Sequence, residues 1–272
     1  ALFGIKEINM YSLYFNHVPK TGGTYIISSF IKAGLLDYVN FFDLASKDNV
    51  DIEDVKDKNF IAGHYGTYIN SLKPNVKSFT ILRNPIKRTI SLYSTMYELY
   101  LKNPEDKKSL YEFESQYRSF LTHKHNDDPY KLLDYWLNDP DFAEEVSNNQ
   151  SSYLVNSKIF LMYYGDTKKT TKFKLSDDIN HKEINFNNVK KSLDSMILVG
   201  TLENLNTFKD SLFEIVNKNF ECNLTDINSE KEENVSDLSK YLYGKLNKSQ
   251  INQIEELNSI DFEAWEYAKS LI

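Results

Sequence analysis

The segment His17-Val18-Pro19-Lys20-Thr21-Gly22-Gly23-Thr24 constrains the fold of this chain more than any other. Before it, the aromatic and branched residues of Leu13 to Val18 are followed at once by proline and glycine, the pattern of a short buried strand. After it, Ile26, Ile27, Phe30 and Ile31 recur at helical spacing from Thr24, and Gly34 supplies a stop. A strand, a glycine loop and a helix in that order bring backbone N–H groups to a helix N-terminus, where an anion is favoured. Lys20 adds a charge and Thr24 a hydroxyl. A tight turn with a solvated lysine is the plainer alternative for a Gly-Gly pair, and the flanking strand and helix weigh against it.

The spacing separates this loop from two better-known ones. A nucleoside-triphosphate loop, G-x-x-x-x-G-K-[ST], places its lysine after the glycines, whereas Lys20 precedes Gly22 and Gly23. A dinucleotide G-x-G-x-x-G is also missing.

A second strand-to-helix junction follows. Lys77 to Leu82 reads as a strand bounded by Arg83-Asn84-Pro85, and Pro85 suits the first turn of a helix whose Ile86, Ile90, Tyr93, Tyr97 and Tyr100 share one face. Asn59 to Ala62 and Ile197 to Val199 are further strands. Phe186, Val189, Leu193 and Met196 mark a helix before the last of these; Gly200 closes that strand before a helix from Asn204. From Asn247 a C-terminal helix should bury Ile251, Ile254, Leu257, Phe262 and Trp265. The alternation predicts a three-layer, P-loop-like α/β fold, with a central, mainly parallel sheet flanked by helices. One domain over 1–272 is expected, with a polar helical insertion over about 104–150 broken at Pro104, Pro129 and Pro140. Lys168 to Lys174 and Glu221 to Asp237 read as surface loops.

Composition narrows the partners. Lys and Arg total 32 against 39 Asp and Glu, a net charge of −7, which offers no general attraction for nucleic acid or an anionic membrane. No apolar run approaches the roughly 20 residues of a membrane span, and ALFGIKEINM lacks a signal-peptide layout, so a soluble, cytoplasmic protein is expected. Cys222 is the single cysteine. His123 and His125, two apart in a charged loop, and His181 lack the partners of a metal site, and none is expected. Nothing sets an oligomeric state.

Two motifs carry a resemblance to a known family. His17 to Thr24 resembles the 5′-phosphosulfate loop of sulfotransferases that use 3′-phosphoadenosine-5′-phosphosulfate (PAPS), in the HxPKTGGT form of the carbohydrate (heparan sulfate) 2-O-sulfotransferase-like group. Arg83 to Tyr93 resembles the family's 3′-phosphate motif, R-x-P-x-x-R-x-x-S-x-Y. Weaker likenesses lie at Ala62-Gly63-His64, Asn149-Gln150, Val199 to Glu203 and Asn258 to Ala268. The resemblance implies PAPS as donor and adenosine 3′,5′-bisphosphate (PAP) as product. It assigns Pro19, Lys20, Thr21, Gly22, Gly23 and Thr24 to the 5′ end, Arg83 and Ser91 to the 3′-phosphate, and Lys20 and His64 to catalysis, His64 as the base. The acceptor it implies bears a hydroxyl, a carbohydrate or a small molecule, and no metal is required.

Taken without the resemblance, Arg83 at a strand end can grip a phosphate and Ser91, two turns on, can offer a hydroxyl. A surface ion pair and a small packing residue are the plainer readings. Arg88 reads as structural, and His64 as either a base or a buried residue ordering the turn at Tyr65 and Gly66. Tyr65 and Tyr68 are acceptor-side candidates by position alone. A P-loop kinase or hydrolase, and a non-catalytic PAP-binding module, remain open alternatives at this point.

Overall fold

The computed structural model describes residues 11–43, 50–102, 128–140, 143, 146–155, 181–225 and 236–271. Five parallel strands form one sheet in the order β2-β3-β1-β4-β5, namely β1 Leu13–Asn16, β2 Phe41–Asp43, β3 Phe60–Gly63, β4 Lys77–Leu82 and β5 Leu198–Thr201. Leu13 pairs with Phe60 on one side and Lys77 on the other, which sets β1 at the centre. The helices described are α1 Gly23–Lys32, α2 Ile52–Val55, α3 Tyr68–Leu72, α4 Pro85–Lys102, α5 Pro129–Leu137, α6 Asn149–Val155, α7 Phe186–Asp194, α8 Leu205–Phe220, α9 Asp237–Tyr243, α10 Lys248–Leu257 and α11 Ser259–Lys269.

Each strand's alternation sorts its side chains between two layers. Leu13, Phe15, Phe60, Phe79 and Ile81 pack with Ile26 and Phe30 of α1 and Phe208, Leu212 and Val216 of α8. On the opposite face Tyr14 and Ile61 meet Val55 of α2 and Ile69 of α3. Leu82 and Val199 join a larger core built from α4, α5, α6, α7 and α11, with Trp136 fully buried in it. The expected three-layer α/β architecture with a parallel central sheet is the one observed.

The differences are local. The strand expected over Leu13 to Val18 ends at Asn16, because Val18 and Pro19 already turn into the loop. β2 was not anticipated: three residues are too few to show a period, and it is held by pairing Phe41 with Phe60. The C-terminal helix is two helices, since Asn258 ends α10 and begins α11. Of its expected buried side, Ile254 is buried and Ile251, Leu257, Phe262 and Trp265 are half-buried, while Asp261, Ala264 and Ala268 occupy the core. In α4, Ile90, Tyr93 and Tyr97 are buried as the spacing predicts. The segment Lys168 to Lys174, His123, His125 and most of the expected insertion lie outside the described residues.

β5 is tied to α8 through one glycine. A Cβ on Gly200 would stand 2.2 Å from Cδ2 of Phe208, a fully buried ring. Gly200→Ala is therefore expected to cost about 1–3 kcal/mol of stability. Urea denaturation reads this as a lower midpoint at constant slope; an unchanged midpoint would show that Phe208 repacks freely.

Candidate functional site

The topology locates a crevice. From β1 the chain moves to β2 and β3 on one side, whereas from β4 it moves to β5 on the other. Adjacent parallel strands whose connections diverge leave an opening at their carboxyl ends, where α/β proteins bind ligands. At β1 and β4 those ends carry Val18 to Thr24 and Arg83-Asn84.

The loop after β1 is held from behind. Thr21 Oγ1 donates to the Val18 carbonyl at 2.8 Å, Arg88 Nε to the Pro19 carbonyl at 3.2 Å, and Arg83 Nη1 to the Lys20 carbonyl at 3.1 Å. In a trans peptide the N–H points opposite to the C=O, so tethering the Pro19 and Lys20 carbonyls turns the Lys20 and Thr21 N–H groups away from these donors. Lys20 takes a positive φ of 70°, uncommon for a residue with a Cβ. Gly22, at φ 91°, is the N-cap of α1, and no side chain caps this helix. Its first-turn N–H groups thus share one end with the loop amides, and Thr24 is exposed there.

The two glycines answer to packing. A Cβ on Gly23 would lie 2.0 Å from His17 Nε2, and one on Gly22 2.7 Å from Leu202 Cδ1. His17 is buried, stacks on Phe15 at 5.1 Å and meets the His64 ring at 4.3 Å. Burial, then His64 and Lys20, hold its imidazole well below the ordinary histidine range. His64 Nδ1 lies 2.5 Å from the His17 carbonyl. A carbonyl only accepts, so Nδ1 carries a proton in this contact, and in the neutral tautomer Nε2 is the acceptor nitrogen. Tyr65 is buried in the core and the Tyr68 hydroxyl donates to the Val50 carbonyl, so both serve the fold around this turn.

Three cations converge on the loop. Burial, with Arg83 and Arg88 beside it, pushes the Lys20 ammonium down from 10.5 to about 8, against the pull of Glu98. This folded value lies below the unfolded one, so the charge costs stability below about pH 8, a cost that fades as pH rises further. Such a cluster is relieved by an anion. Lys20 Nζ donates to Thr95 Oγ1 at 2.6 Å. Ser91, one turn before Thr95, is buried, and its carbonyl accepts from the Thr95 hydroxyl at 2.9 Å.

Behind the cations stands α6. Gln150 Oε1 accepts from the Arg83 amide at 2.8 Å and its Nε2 donates to the Arg83 carbonyl at 2.9 Å. Asn149 Oδ1 accepts from Arg88 Nη2. Asp261 of α11 accepts from the Gln150 and Ser151 amides at 3.0 and 2.7 Å, while Asn148 Oδ1 accepts from Ile260 and Asp261 of α11. The two helices cap each other. Burial raises the Asp261 carboxyl above its ordinary range, opposed by those amides and by Arg88.

The family model described as Sulfotransferase family matches residues 8–268. The chain belongs to the sulfotransferase family. No curated protein gives a significant match. Sulfuryl transfer is thus the general chemistry of this sulfotransferase, and the crevice at β1 and β4 is where its fold gathers cations and loop amides. Among the described residues no helix is long and apolar enough to cross a membrane. The structure puts Pro19 to Thr24 and Arg83 at one end of the sheet, Ser91 one turn from the Thr95 that meets Lys20, and His64 one strand away at the end of β3. It adds Arg88, Thr95, Gln150 and Asp261 around them; the Asn149-Gln150 pair, the second arginine of the motif and the likeness over Asn258 to Ala268 touch part of this, and Thr95 had no signal.

Replacing Gln150 by Leu removes the partner of two backbone groups at buried Arg83. With a cost of about 1–3 kcal/mol for each buried group left unmet, Gln150→Leu should lose at least about 2 kcal/mol in urea denaturation. A loss below about 1 kcal/mol would show that α6 is not what fixes this strand end.

Proposed function

We propose that this sulfotransferase takes its sulfuryl group from PAPS and transfers it in line to a hydroxyl of an acceptor, releasing PAP. The observation that carries the reading is the convergence of Lys20, Arg83 and Arg88 on a loop whose Pro19 and Lys20 carbonyls are tethered by the two arginines. PAPS supplies an activated sulfuryl group on a 5′-phosphate and a second anion at the 3′ position. The amides around Lys20 to Thr24, with the uncapped end of α1, suit the 5′ end. Arg83 and Ser91 suit the 3′-phosphate. One arm of the Arg83 guanidinium also holds the Lys20 carbonyl, so Arg83 would serve both anions, one directly and one through the loop.

In the proposed step a bond forms between the acceptor oxygen and sulfur as the bond from sulfur to the 5′-phosphate oxygen breaks. Charge grows on that leaving oxygen, where the Lys20 ammonium compensates it. The acceptor proton goes to His64 Nε2, the nitrogen left basic by the Nδ1 contact with His17. The likeness of Gly63-His64 and of the HxPKTGGT loop to the 2-O-sulfotransferase-like group supports this role and makes a carbohydrate the first acceptor class to try.

Thermal shift tests the donor. PAP should stabilise the protein well beyond ADP or AMP, and at a hundred times its Kd by about 2.7 kcal/mol. Equal shifts with all three would sink the 3′-phosphate assignment.

Transfer kinetics test the roles. Lys20→Ala should lower kcat with little change in PAP affinity, Arg83→Ala should weaken PAP, and His64→Ala should keep PAP binding while losing about 10²–10⁴ in rate. In the free enzyme kcat/KM for the donor should fall as pH rises through about 8, where Lys20 loses its proton. A folded His64→Ala protein with unchanged kcat would turn attention to Glu98, whose carboxylate faces Lys20.

A further inference from the structure

Thr95 lies one turn beyond Ser91 on α4, outside every motif. Its single hydroxyl proton is committed to the Ser91 carbonyl at 2.9 Å, so the oxygen turns a lone pair outward, and Lys20 Nζ donates to it at 2.6 Å. Neither direction can be reversed, because a carbonyl cannot donate and an ammonium cannot accept. We infer that Thr95 is the positioning residue for Lys20, a neutral acceptor that fixes one ammonium N–H and thereby aims the other two into the crevice. The inference rests on the reading of Lys20 as the group that compensates the leaving oxygen.

The surroundings explain why an uncharged acceptor suits this place. Arg83, at the end of β4, and Arg88, on α4, repel Lys20; Glu98, on α4, attracts it; and His17, after β1, faces it as well. A carboxylate in place of Thr95 would hold the ammonium more tightly and also cancel the charge that an incoming anion meets. A hydroxyl sets direction and leaves the charge intact. Without it, the remaining forces on the ammonium are repulsion from the arginines and the pull of Glu98, one turn along the same helix, and the side chain is drawn away from the loop.

The test compares Thr95→Val, Thr95→Ser, Lys20→Ala and the double variant Lys20→Ala/Thr95→Val, each checked for unchanged near-ultraviolet circular dichroism. NMR of ¹³C-labelled lysine follows the Lys20 titration directly, without turnover. Thr95→Val removes an acceptor from the charged form, so the Lys20 midpoint should fall by about one pH unit, and Thr95→Ser should restore it. Alongside this, Thr95→Val should lower kcat about tenfold with PAP affinity held within about twofold, and the double variant should be no slower than Lys20→Ala alone. An unmoved Lys20 midpoint in Thr95→Val overturns the inference, as does a double variant slower than Lys20→Ala by the full Thr95→Val factor. A shifted midpoint together with an unchanged kcat in Lys20→Ala overturns the catalytic reading of Lys20 instead, and with it any catalytic consequence of the contact.

Discussion

Three successive carbonyls, of Val18, Pro19 and Lys20, are each gripped by a side-chain donor, and the rest of the site depends on that grip. A loop of this kind has no ladder to define it, so its amides face wherever its peptide planes happen to turn. Here the planes are set by Thr21 within the loop, by Arg83 at the end of β4 and by Arg88 in the first turn of α4. Between the two carbonyls held by arginines, Lys20 stands at a positive φ. Burial first, and then the same two guanidinium groups, depress the Lys20 ammonium, which couples the shape of the loop to its charge.

That grip is itself supported from the far end of the chain. Asp261 and Asn148 cap each other's helices, which fixes α6 on α11, and α6 then offers Gln150 to Arg83 and Asn149 to Arg88. A buried carboxylate is an expensive way to cap a helix, and the raised Asp261 shows the expense. It is tolerated because two amides and a nearby guanidinium share the charge. The C-terminal helix α11 thus belongs to the structure of the site.

Much of the architecture was legible because punctuation and pattern coincide: Pro19 with Gly22 and Gly23 ends one strand, and Arg83-Asn84-Pro85 ends another. The residues named on that basis do share one end of the sheet. What could not be read are the contacts between distant residues. Gln150 meets Arg83 across 67 positions and Asp261 meets Gln150 across 111, and no local propensity records either. Thr95 was hidden differently. Threonine within a helix gives no signal of its own, and its meaning comes only from Lys20 across 75 positions. The break at Asn258 was missed because apolar spacing continues through it while the chain changes direction.

The glycine at position 23 has a consequence for variation. Its missing side chain is the space taken by the His17 ring. The two positions therefore behave as a single volume divided between them. A chain that shortened residue 17 would free room for alanine or serine at 23, and a chain that keeps histidine at 17 holds 23 to glycine. Enlarging 23 alone is blocked sterically and shortening 17 alone leaves a cavity, so the pair should change together.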